Sequence, residues 1–316
     1  MSAVGREVVR VENLVKDFRV GFGIRTKRVL SEVSFSAFEG EIFGFVGPNG
    51  AGKTTTLKVL MGLIRPTSGS ASILGRNVAE SEFRDQIGFL PENPYFYPFL
   101  TAREILDFYA RLSGVEARRR AGRVEELLAL VHLDQAADMR LKTFSKGMLQ
   151  RVGVAQALIH DPSVIFLDEP MSGLDPIGRR EIREVILALR AAGKTVFMNT
   201  HILSDVEMIC DRVAIIVKGA IQRQGRIEDL VGVETHAAQI VVVGLSADAA
   251  TEIEAGLGTL LSGTAERVEI CAAEKNVEEI LRAVLRSGGR VLSVSPLRPS
   301  LEEVFMSAVA TAEEAR

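Results

Sequence analysis

The sequence has few cysteines, no tryptophan and no long apolar run. Only Cys210 and Cys271 occur among the 316 residues. Their spacing fits neither a disulfide framework nor a zinc site, which favours a reducing cytosol. The amino-terminal MSAVGREVVRVEN lacks the apolar core of a signal peptide. No apolar run approaches the roughly 20 residues that a membrane-spanning helix needs. If the protein acts at a membrane, we therefore expect another chain to span it.

The chain also lacks a strong charge of either sign. The net charge is −3, which gives no general electrostatic attraction to nucleic acid or to acidic membranes. One basic run, Glu116 to Arg123, is interpreted as a solvated helix face. We therefore expect no nucleic-acid partner.

The apolar pattern predicts an α/β fold with a mainly parallel sheet. An amino-terminal antiparallel β part precedes a section rich in helical periodicity, a helical subdomain at about residues 91–160. The run SVIFLDEP, 163–170, is continuously apolar up to its carboxylates, as is typical of a buried parallel strand. Smaller strands and helices follow; SADAATEIEAGLG, 246–258, is interpreted as a helix, and the next predicted strand is VEICAA, 268–273. We predict one domain over residues 1–232 and a small carboxy-terminal α/β domain over residues 233–316.

The segment GPNGAGKTT matches the pattern G-x-x-x-x-G-K-[ST] between a predicted strand and a helix predicted from Lys53 to about Leu63. Glycines let the backbone N–H groups turn toward phosphate oxygens, and the helix start adds a positive dipole end. Lys53 is expected to neutralise the β- and γ-phosphates, and the Thr54 hydroxyl to ligate Mg²⁺. A glycine-rich turn with a chance lysine is the alternative. The predicted phosphate-binding residues are Gly47, Pro48, Asn49, Gly50, Ala51, Gly52, Lys53, Thr54 and Thr55.

Two adjacent carboxylates follow the predicted buried strand. Asp168 is expected to hold the hydration shell of Mg²⁺, and Glu169 to act as the general base that polarises the attacking water. A purely structural role is the competing interpretation, but ionised groups at a strand end need partners. The pair therefore favours nucleoside triphosphate hydrolysis, with Lys53 and Glu169 as catalytic residues.

In this order, the motifs resemble the nucleotide-binding subunits of ABC transporters over about residues 8–230. SGLDP, 172–176, resembles the D-loop, and Asp175 is included among the nucleotide-binding residues. His201 in NTH resembles the switch histidine, which contacts the γ-phosphate and is counted as catalytic. Phe18 stands where the family places an aromatic that stacks on adenine; a core phenylalanine is the alternative.

The segment FSKGMLQR, 144–151, stands where that family has LSGGQ, a segment that binds ATP held by the opposite subunit. Ser145 and Gly147 keep the hydroxyl and the small residue. Lys146 and Met148 replace a glycine and a glutamine. Lys146 is tolerable if its φ is negative, and its ammonium favours an anion. The resemblance therefore implies a working variant that uses Ser145, Lys146 and Gly147; an ordinary helix start is the alternative.

A second departure concerns the metal. Glu92 in IGFLPENP stands where the family usually has a glutamine, and a carboxylate is also a Mg²⁺ ligand. The predicted metal ligands are Thr54, Glu92 and Asp168. Together with SKGM and the tail PSLEEVF, Pro299 to Phe305, the LPEN segment resembles the ATPases of ABC-2 type multidrug, antibiotic and sodium exporters.

The resemblance implies a Mg²⁺-dependent ATPase that forms a head-to-tail homodimer around two ATP molecules. A separate permease would span the membrane, with this chain at the cytoplasmic face. PYFYPFL, Pro94 to Leu100, is a candidate docking surface or local core packing. A soluble ABC ATPase acting on ribosomes or DNA is the alternative. It is disfavoured by the single phosphate loop and the absence of zinc cysteines and long heptads. A non-catalytic subunit is disfavoured because Glu169 and His201 are both present.

Overall fold

The computed structural model describes residues 5–21, 25–80, 83–232, 237–264, 267–296 and 300–314. The chain folds into two compact units. One comprises the residues up to Ile227 together with those from Phe305 onward, and the other is Glu228–Val304. The boundary predicted after residue 232 stays a prediction. Pro299 of the predicted tail motif lies outside the described residues.

The first unit contains an antiparallel sheet, as the amino-terminal pattern predicts. Its strands in spatial order are β2 (Arg25–Phe38), β1 (Glu7–Val20), β4 (Ser68–Ile73) and β5 (Arg76–Asn77). Buried and more exposed residues alternate over the second half of β2, so one face packs against the interior.

A six-stranded sheet forms the centre of this unit. Its strands in spatial order are β10 (Ala220–Arg226), β9 (Arg212–Val217), β3 (Ile42–Val46), β8 (Thr195–Thr200), β7 (Val164–Asp168) and β6 (Ile87–Leu90). Neighbouring strands from β9 to β6 are parallel, and only β10 runs antiparallel. Every residue of β3, β7 and β8 is buried, which explains the apolar runs of β3 and of β7 up to Asp168. The predicted mainly parallel sheet is confirmed.

The helices of this unit are α1 (Lys53–Leu60), α2 (Ala102–Leu112), α3 (Ala117–Leu130), α4 (Lys146–Ala157), α5 (Pro176–Ala191) and α6 (Leu203–Ile209). The predicted helical section at about residues 91–160 contains α2, α3 and α4. The short helix α7 (Ile227–Val231) begins at Ile227 and continues into the second unit. The sequence predicted that α1 would continue to about Leu63, but it ends earlier because Gly62 adopts a left-handed φ of 65°. Within the described residues, no helix is both long enough and apolar enough to cross a membrane.

The second unit is a smaller α/β structure. Its antiparallel sheet has the order β12 (Gly258–Thr264), β13 (Arg267–Ala273), β11 (Ala237–Val243) and β14 (Arg290–Pro296). Its helices are α8 (Ala247–Glu254) and α9 (Val277–Arg286), and the chain ends with α10 (Leu301–Glu314). The sequence pattern predicts no strand at the position of β12. Gly258 resembles a helix terminator in sequence, but here it lets two strands approach closely, since a Cβ would lie 2.8 Å from the Cys271 carbonyl oxygen.

A cluster of buried phenylalanines joins the two sheets of the first unit. Phe35 lies on β2, Phe43 and Phe45 on β3, Phe166 on β7 and Phe197 on β8. Contacting rings in this cluster have centroids 5.1 to 5.7 Å apart. Such pairs contribute roughly 0.5–1.5 kcal/mol beyond the burial of their surface. The cluster therefore fixes the central strands against the antiparallel sheet.

Replacing Phe197 by alanine is expected to lower the free energy of unfolding by about 3–5 kcal/mol, because it leaves a cavity among four other rings. Urea unfolding followed by circular dichroism measures this change. Phe99→Ala is the matched control, since its side chain is 64% exposed, and its cost is expected to stay below about 1 kcal/mol. Equal losses in the two variants would contradict a central role for the cluster.

Candidate active site

The glycine-rich loop connects β3 to the start of α1 and packs closely against the strands beside it. A Cβ at Gly47 would overlap the carbonyl oxygen of Ile216. Gly52 has a φ of 111°, and a Cβ there would lie 2.6 Å from Leu30 Cδ2. Gly50 also has a positive φ, of 80°. These positions need glycine for space or for backbone conformation, and the resulting backbone cradle fits a phosphate chain.

Lys53, the first residue of α1, is folded back onto this loop. Its Nζ donates to the Gly47 carbonyl oxygen at 2.7 Å and lies 3.5 Å from Glu169 Oε1. Its side chain is only 7% exposed. A buried ammonium needs such partners. Lys53 is therefore held at the loop, facing the carboxylate that is expected to be the general base.

Asp168 is the last residue of β7 and is buried. Its Oδ1 accepts a hydrogen bond from Asn199 Nδ2 at 3.2 Å. Burial is the main cause that raises the pKa of Asp168, and the Asn199 hydrogen bond opposes it. The carboxylates of Glu169 and Glu92 raise this pKa further, while Lys53 lowers it. The Asp168 carboxylate thus lies close to two other carboxylates, an environment that stabilises a nearby positive charge.

Glu169 has a strained backbone that several contacts maintain. Its φ is 50°, in the left-handed region that costs a non-glycine residue roughly 1–2 kcal/mol. Its N–H donates to the Asn199 carbonyl oxygen at 2.9 Å. Its Oε2 lies 2.8 Å from His201 Nδ1. An ionised carboxylate only accepts hydrogen bonds, so Nδ1 carries the proton in this contact. Strain held in this way is typical of functional positions.

These groups border a cleft of about 700 Å³, which we call the Lys53 cleft. Its volume falls within the range of small-molecule sites, about 300–1,000 Å³. The residues that line it are Lys27, Arg28, Val29, Pro48, Asn49, Gly50, Gly52, Lys53, Thr54, Thr55, Glu92, Glu169, Ser172, His201 and Lys218. The structure thus brings together most of the phosphate loop, Glu92, Glu169 and His201. Gly47, Ala51 and Asp168 are buried beside it.

Three cationic side chains that the sequence did not indicate also line this cleft. Lys27 and Arg28 lie near the start of β2, and Lys218 lies in the turn after β9. That turn is attached to the phosphate loop, because the Gly219 N–H donates to the Ala51 carbonyl oxygen at 3.0 Å. No local motif marks these residues. Only the strand pairing and the turn contact, which are properties of the fold, reveal them.

Phe18 does not line the Lys53 cleft. In the β1–β2 register it stands opposite Lys27, which does. The Phe18 ring is 37% exposed, and the Lys16 ammonium lies 5.0 Å from its centroid. The ring is therefore not a core residue, and adenine stacking stays a prediction.

The remaining predicted residues lie in a different cleft of about 370 Å³, the Ser145 cleft. Its lining consists of Ser145, Lys146, Gly147, Met148, Arg151, Gly173, Leu174, Asp175, Ile177, Gly178 and Glu181. It shares no lining residue with the Lys53 cleft. Ser172 lines one cleft, and its neighbour Gly173 lines the other. Within one chain, the predicted site residues are thus divided between two clefts.

Both helices at the Ser145 cleft begin with a side-chain cap. Ser145 Oγ accepts from the Met148 N–H at 3.2 Å at the start of α4. Asp175 Oδ1 accepts from the Gly178 N–H at 2.8 Å at the start of α5. Each cap satisfies one of the free N–H groups of its helix and fixes the chain direction there.

Lys146 is accommodated as the first residue of α4. Its φ is not positive, so a residue with a Cβ is accommodated there without backbone strain. Its ammonium packs against Gly173, where a Cβ would overlap Nζ. A Cβ at Gly147 would make only ordinary contacts, the nearest at 3.8 Å. The variant segment is therefore a regular helix start with an exposed cation.

The residues expected to hold Mg²⁺ fit a site completed by substrate. Within the described part of the chain, no cluster of three or more His, Cys, Asp or Glu side chains is placed to hold a metal. Thr54 and Glu92 line the Lys53 cleft, and Asp168 is buried beside it. Mg²⁺ is usually bound by one or two carboxylates together with substrate phosphates, so this hydroxyl and carboxylate set is suitable.

Sequence comparison relates most of the chain to known proteins. The family described as ABC transporter matches residues 30–172. An ABC transporter ATP-binding protein of Nostoc sp. is 43% identical over 96% of this chain and 90% of that protein. One from Synechocystis sp. is 41% identical over 95% of this chain and 84% of that protein. The Nod factor export ATP-binding protein I of Ralstonia nicotianae is 35% identical over 92% of each.

Solved structures show the same fold. The ATP-binding subunit of an ABC transporter has a TM-score of 0.62 at 32% identity, covering 71% of this chain and 91% of that chain. An ATP-binding cassette solved as a dimer in a post-hydrolysis state, bound to ADP and Pi, has a TM-score of 0.63 at 26% identity. That comparison covers 69% of this chain and 98% of the other.

Replacing glycine by alanine is expected to affect the free energy of unfolding differently in the two clefts. Gly47→Ala must displace the loop or the Ile216 carbonyl, which lowers the free energy of unfolding by about 1–3 kcal/mol. Gly147→Ala lies in a helix with room for a methyl group, so stability is unchanged or rises by up to about 1 kcal/mol. Thermal unfolding of the two variants measures both effects. A lower free energy of unfolding in Gly147→Ala would contradict the presence of room for a methyl group at this helix start.

Proposed function

The chain belongs to the family of ABC transporter ATP-binding proteins, and from this premise we propose that it is the ATP-hydrolysing subunit of an ABC-2 type exporter. The observation that carries the catalytic part is the convergence of Lys53, Glu169 and His201 on one cleft beside the phosphate loop. The exporter assignment depends on the sequence resemblance and on a named relative.

Substrate binding begins at the phosphate loop. The Lys53 ammonium, which donates to the Gly47 carbonyl oxygen, has stronger acceptors in the oxygens of ATP phosphates, because charge-assisted hydrogen bonds exceed neutral ones. It therefore turns from its own loop to the β- and γ-phosphates. Thr54, Glu92 and Asp168 are the residues that would hold Mg²⁺, and the ion would supply neutralisation of charge on these phosphates.

Glu169 acts as the general base. It takes a proton from a water molecule as the water oxygen forms a bond to the γ-phosphorus. The bond between that phosphorus and the β–γ bridging oxygen breaks, its electron pair leaves with ADP, and inorganic phosphate is released. His201 Nδ1 holds Glu169 Oε2 at 2.8 Å, which orients the carboxylate. The strained backbone of Glu169 fixes the position from which it acts.

A second copy of the chain completes each site. The Ser145 cleft, with the start of α4 and the Lys146 cation, shares no residue with the Lys53 cleft. In a head-to-tail homodimer, the Ser145–Gly147 segment of one copy meets the γ-phosphate held by the other. The 26% identical neighbour solved as a dimer supports this arrangement. Two ATP molecules then join the copies, and hydrolysis releases them.

The membrane partner is proposed to dock on exposed aromatic side chains after Glu92. Tyr95, Tyr97 and Phe99 are 84%, 49% and 64% exposed, whereas Phe96 is buried. The Tyr97 ring lies 5.8 Å from Phe99 and 6.4 Å from the half-exposed Phe108. Contiguous exposed aromatics are typical of protein interfaces. We call Tyr95, Tyr97, Phe99 and Phe108 the aromatic patch.

An exporter is favoured among transport functions. The LPEN and SKGM segments resemble ABC-2 type exporter ATPases, and a 35% identical relative is named for Nod factor export. The permease is a separate chain, and this subunit lies at the cytoplasmic face of the membrane. A soluble ABC ATPase acting on ribosomes or DNA remains the alternative, and no feature of the described residues favours it.

The Glu169→Gln variant is expected to bind ATP and stay dimeric, with ATPase activity reduced about 10²–10⁴-fold by loss of the base. Size-exclusion chromatography in the presence of ATP, coupled to light scattering, measures the molar mass and thereby distinguishes dimer from monomer. Adding Gly147→Ala is expected to return the protein to monomers, because the new methyl group separates the helix start from the γ-phosphate of the other copy. A dimer that persists in the double variant would contradict binding by this segment.

Membrane association is expected in the native host. Tagged Glu169→Gln protein, purified from detergent-solubilised membranes with ATP, should retain a stoichiometric protein with several spanning helices, identified by mass spectrometry. Tyr97→Ser and Phe99→Ser together should reduce this capture at least about tenfold, since hot-spot aromatics contribute about 2 kcal/mol or more. Their ATP-dependent dimer is the control. Recovery only with ribosomes, DNA or no partner would move the assignment to a soluble ATPase.

A further inference from the structure

The parallel pairing of β7 and β8 places Asn199 directly beside the two adjacent carboxylates. Asn199 is the register partner of Asp168, and its side chain is fully buried. Its Nδ2 donates to Asp168 Oδ1 at 3.2 Å. Its carbonyl oxygen accepts from the Glu169 N–H at 2.9 Å. Asn199 thus contacts Asp168 through its side chain and Glu169 through its backbone.

Judged by stability alone, an amide side chain is unfavourable at position 199 of β8. Its neighbours Phe197 and Met198 are apolar and fully buried. Its Oδ1 is buried and has no hydrogen-bond partner among the described residues. An unsatisfied buried acceptor costs roughly 1–3 kcal/mol. The amide cannot turn over to relieve this, because an ionised carboxylate accepts but does not donate, and Nδ2 must face Asp168.

We propose that Asn199 is a positioning residue that orients Asp168 toward the metal–nucleotide complex. This inference rests on the proposed function of the Lys53 cleft. The amide binds Oδ1 of Asp168, which directs Oδ2, the other carboxylate oxygen, toward the metal or its water. Partners of this kind fix the geometry of a metal-binding carboxylate and contribute strongly to metal affinity.

Direct metal binding separates this role from a structural one. Full-length protein is titrated with Mn²⁺ in the presence of the non-hydrolysable ATP analogue AMP-PNP, and free Mn²⁺ is measured by electron paramagnetic resonance. Asn199→Leu keeps the approximate side-chain size and removes the donor. We expect the half-saturating Mn²⁺ concentration to rise about 10–100-fold. The affinity for AMP-PNP without metal should change less than about threefold, because the phosphate loop is unaltered.

Thr195→Val is the matched control. Thr195 is a buried polar residue at the other end of β8, where its Oγ1 accepts from the Gly40 N–H. This variant loses a buried hydrogen bond of the same strand, so it is expected to lose stability but to bind Mn²⁺ like the unaltered protein. In an Asp168→Asn background, Asn199→Leu should cause no further loss of Mn²⁺ affinity, because the two residues act through one contact.

Each outcome supports or overturns the inference. Normal Mn²⁺ affinity in Asn199→Leu, together with reduced stability, would show a structural role only. If Asn199→Leu fails to fold, Asn199→Ala, which is smaller and also lacks the donor, is measured in its place with the same expectation. If the unaltered protein binds neither AMP-PNP nor Mn²⁺, the proposed function of the Lys53 cleft fails, which is distinct from failure of the Asn199 role alone.

Discussion

The parallel register of β3, β8 and β7 determines where the groups of the Lys53 cleft lie. Phe45 and Asp168 both stand opposite Asn199, and Val46 stands opposite Thr200. The carboxyl ends of these strands therefore meet at one edge, where the phosphate loop, the carboxylates and His201 follow. A shift of one residue in any strand would turn its side chains to the opposite face. The phenylalanine cluster resists such a shift because its rings come from the same strands.

The groups with a local signature could be predicted from the sequence. The phosphate loop has fixed spacing because its glycines and Lys53 act within one turn. Asp168 and Glu169 follow a strand whose burial on both faces is visible as an unbroken apolar run. The parallel sheet, the amino-terminal antiparallel part and the helical section follow from the same periodicities, and the structure has all of them.

The groups that depend on long-range pairing could not be predicted. Lys27 and Lys218 are distant in sequence and reach one cleft only through the fold. Asn199 is the first residue of NTH, but the resemblance there concerns His201. The proposed role of Asn199 arises from standing opposite Asp168 on another strand. Strand β12 was missed because glycine, which usually interrupts a strand, here permits the close approach to β13. The division of the site between two clefts is likewise a property of the fold rather than of any segment.

The boundary between those two clefts is a single peptide bond. Ser172 borders the Lys53 cleft, and Gly173 borders the Ser145 cleft. In the proposed homodimer, the loop that meets one nucleotide is thus continuous with the loop that meets the other. In that homodimer, a displacement caused at one site would reach the second through this loop without any intervening domain motion. Since coupling between binding sites is reciprocal, the proposal implies that the two ATP molecules bind as linked events.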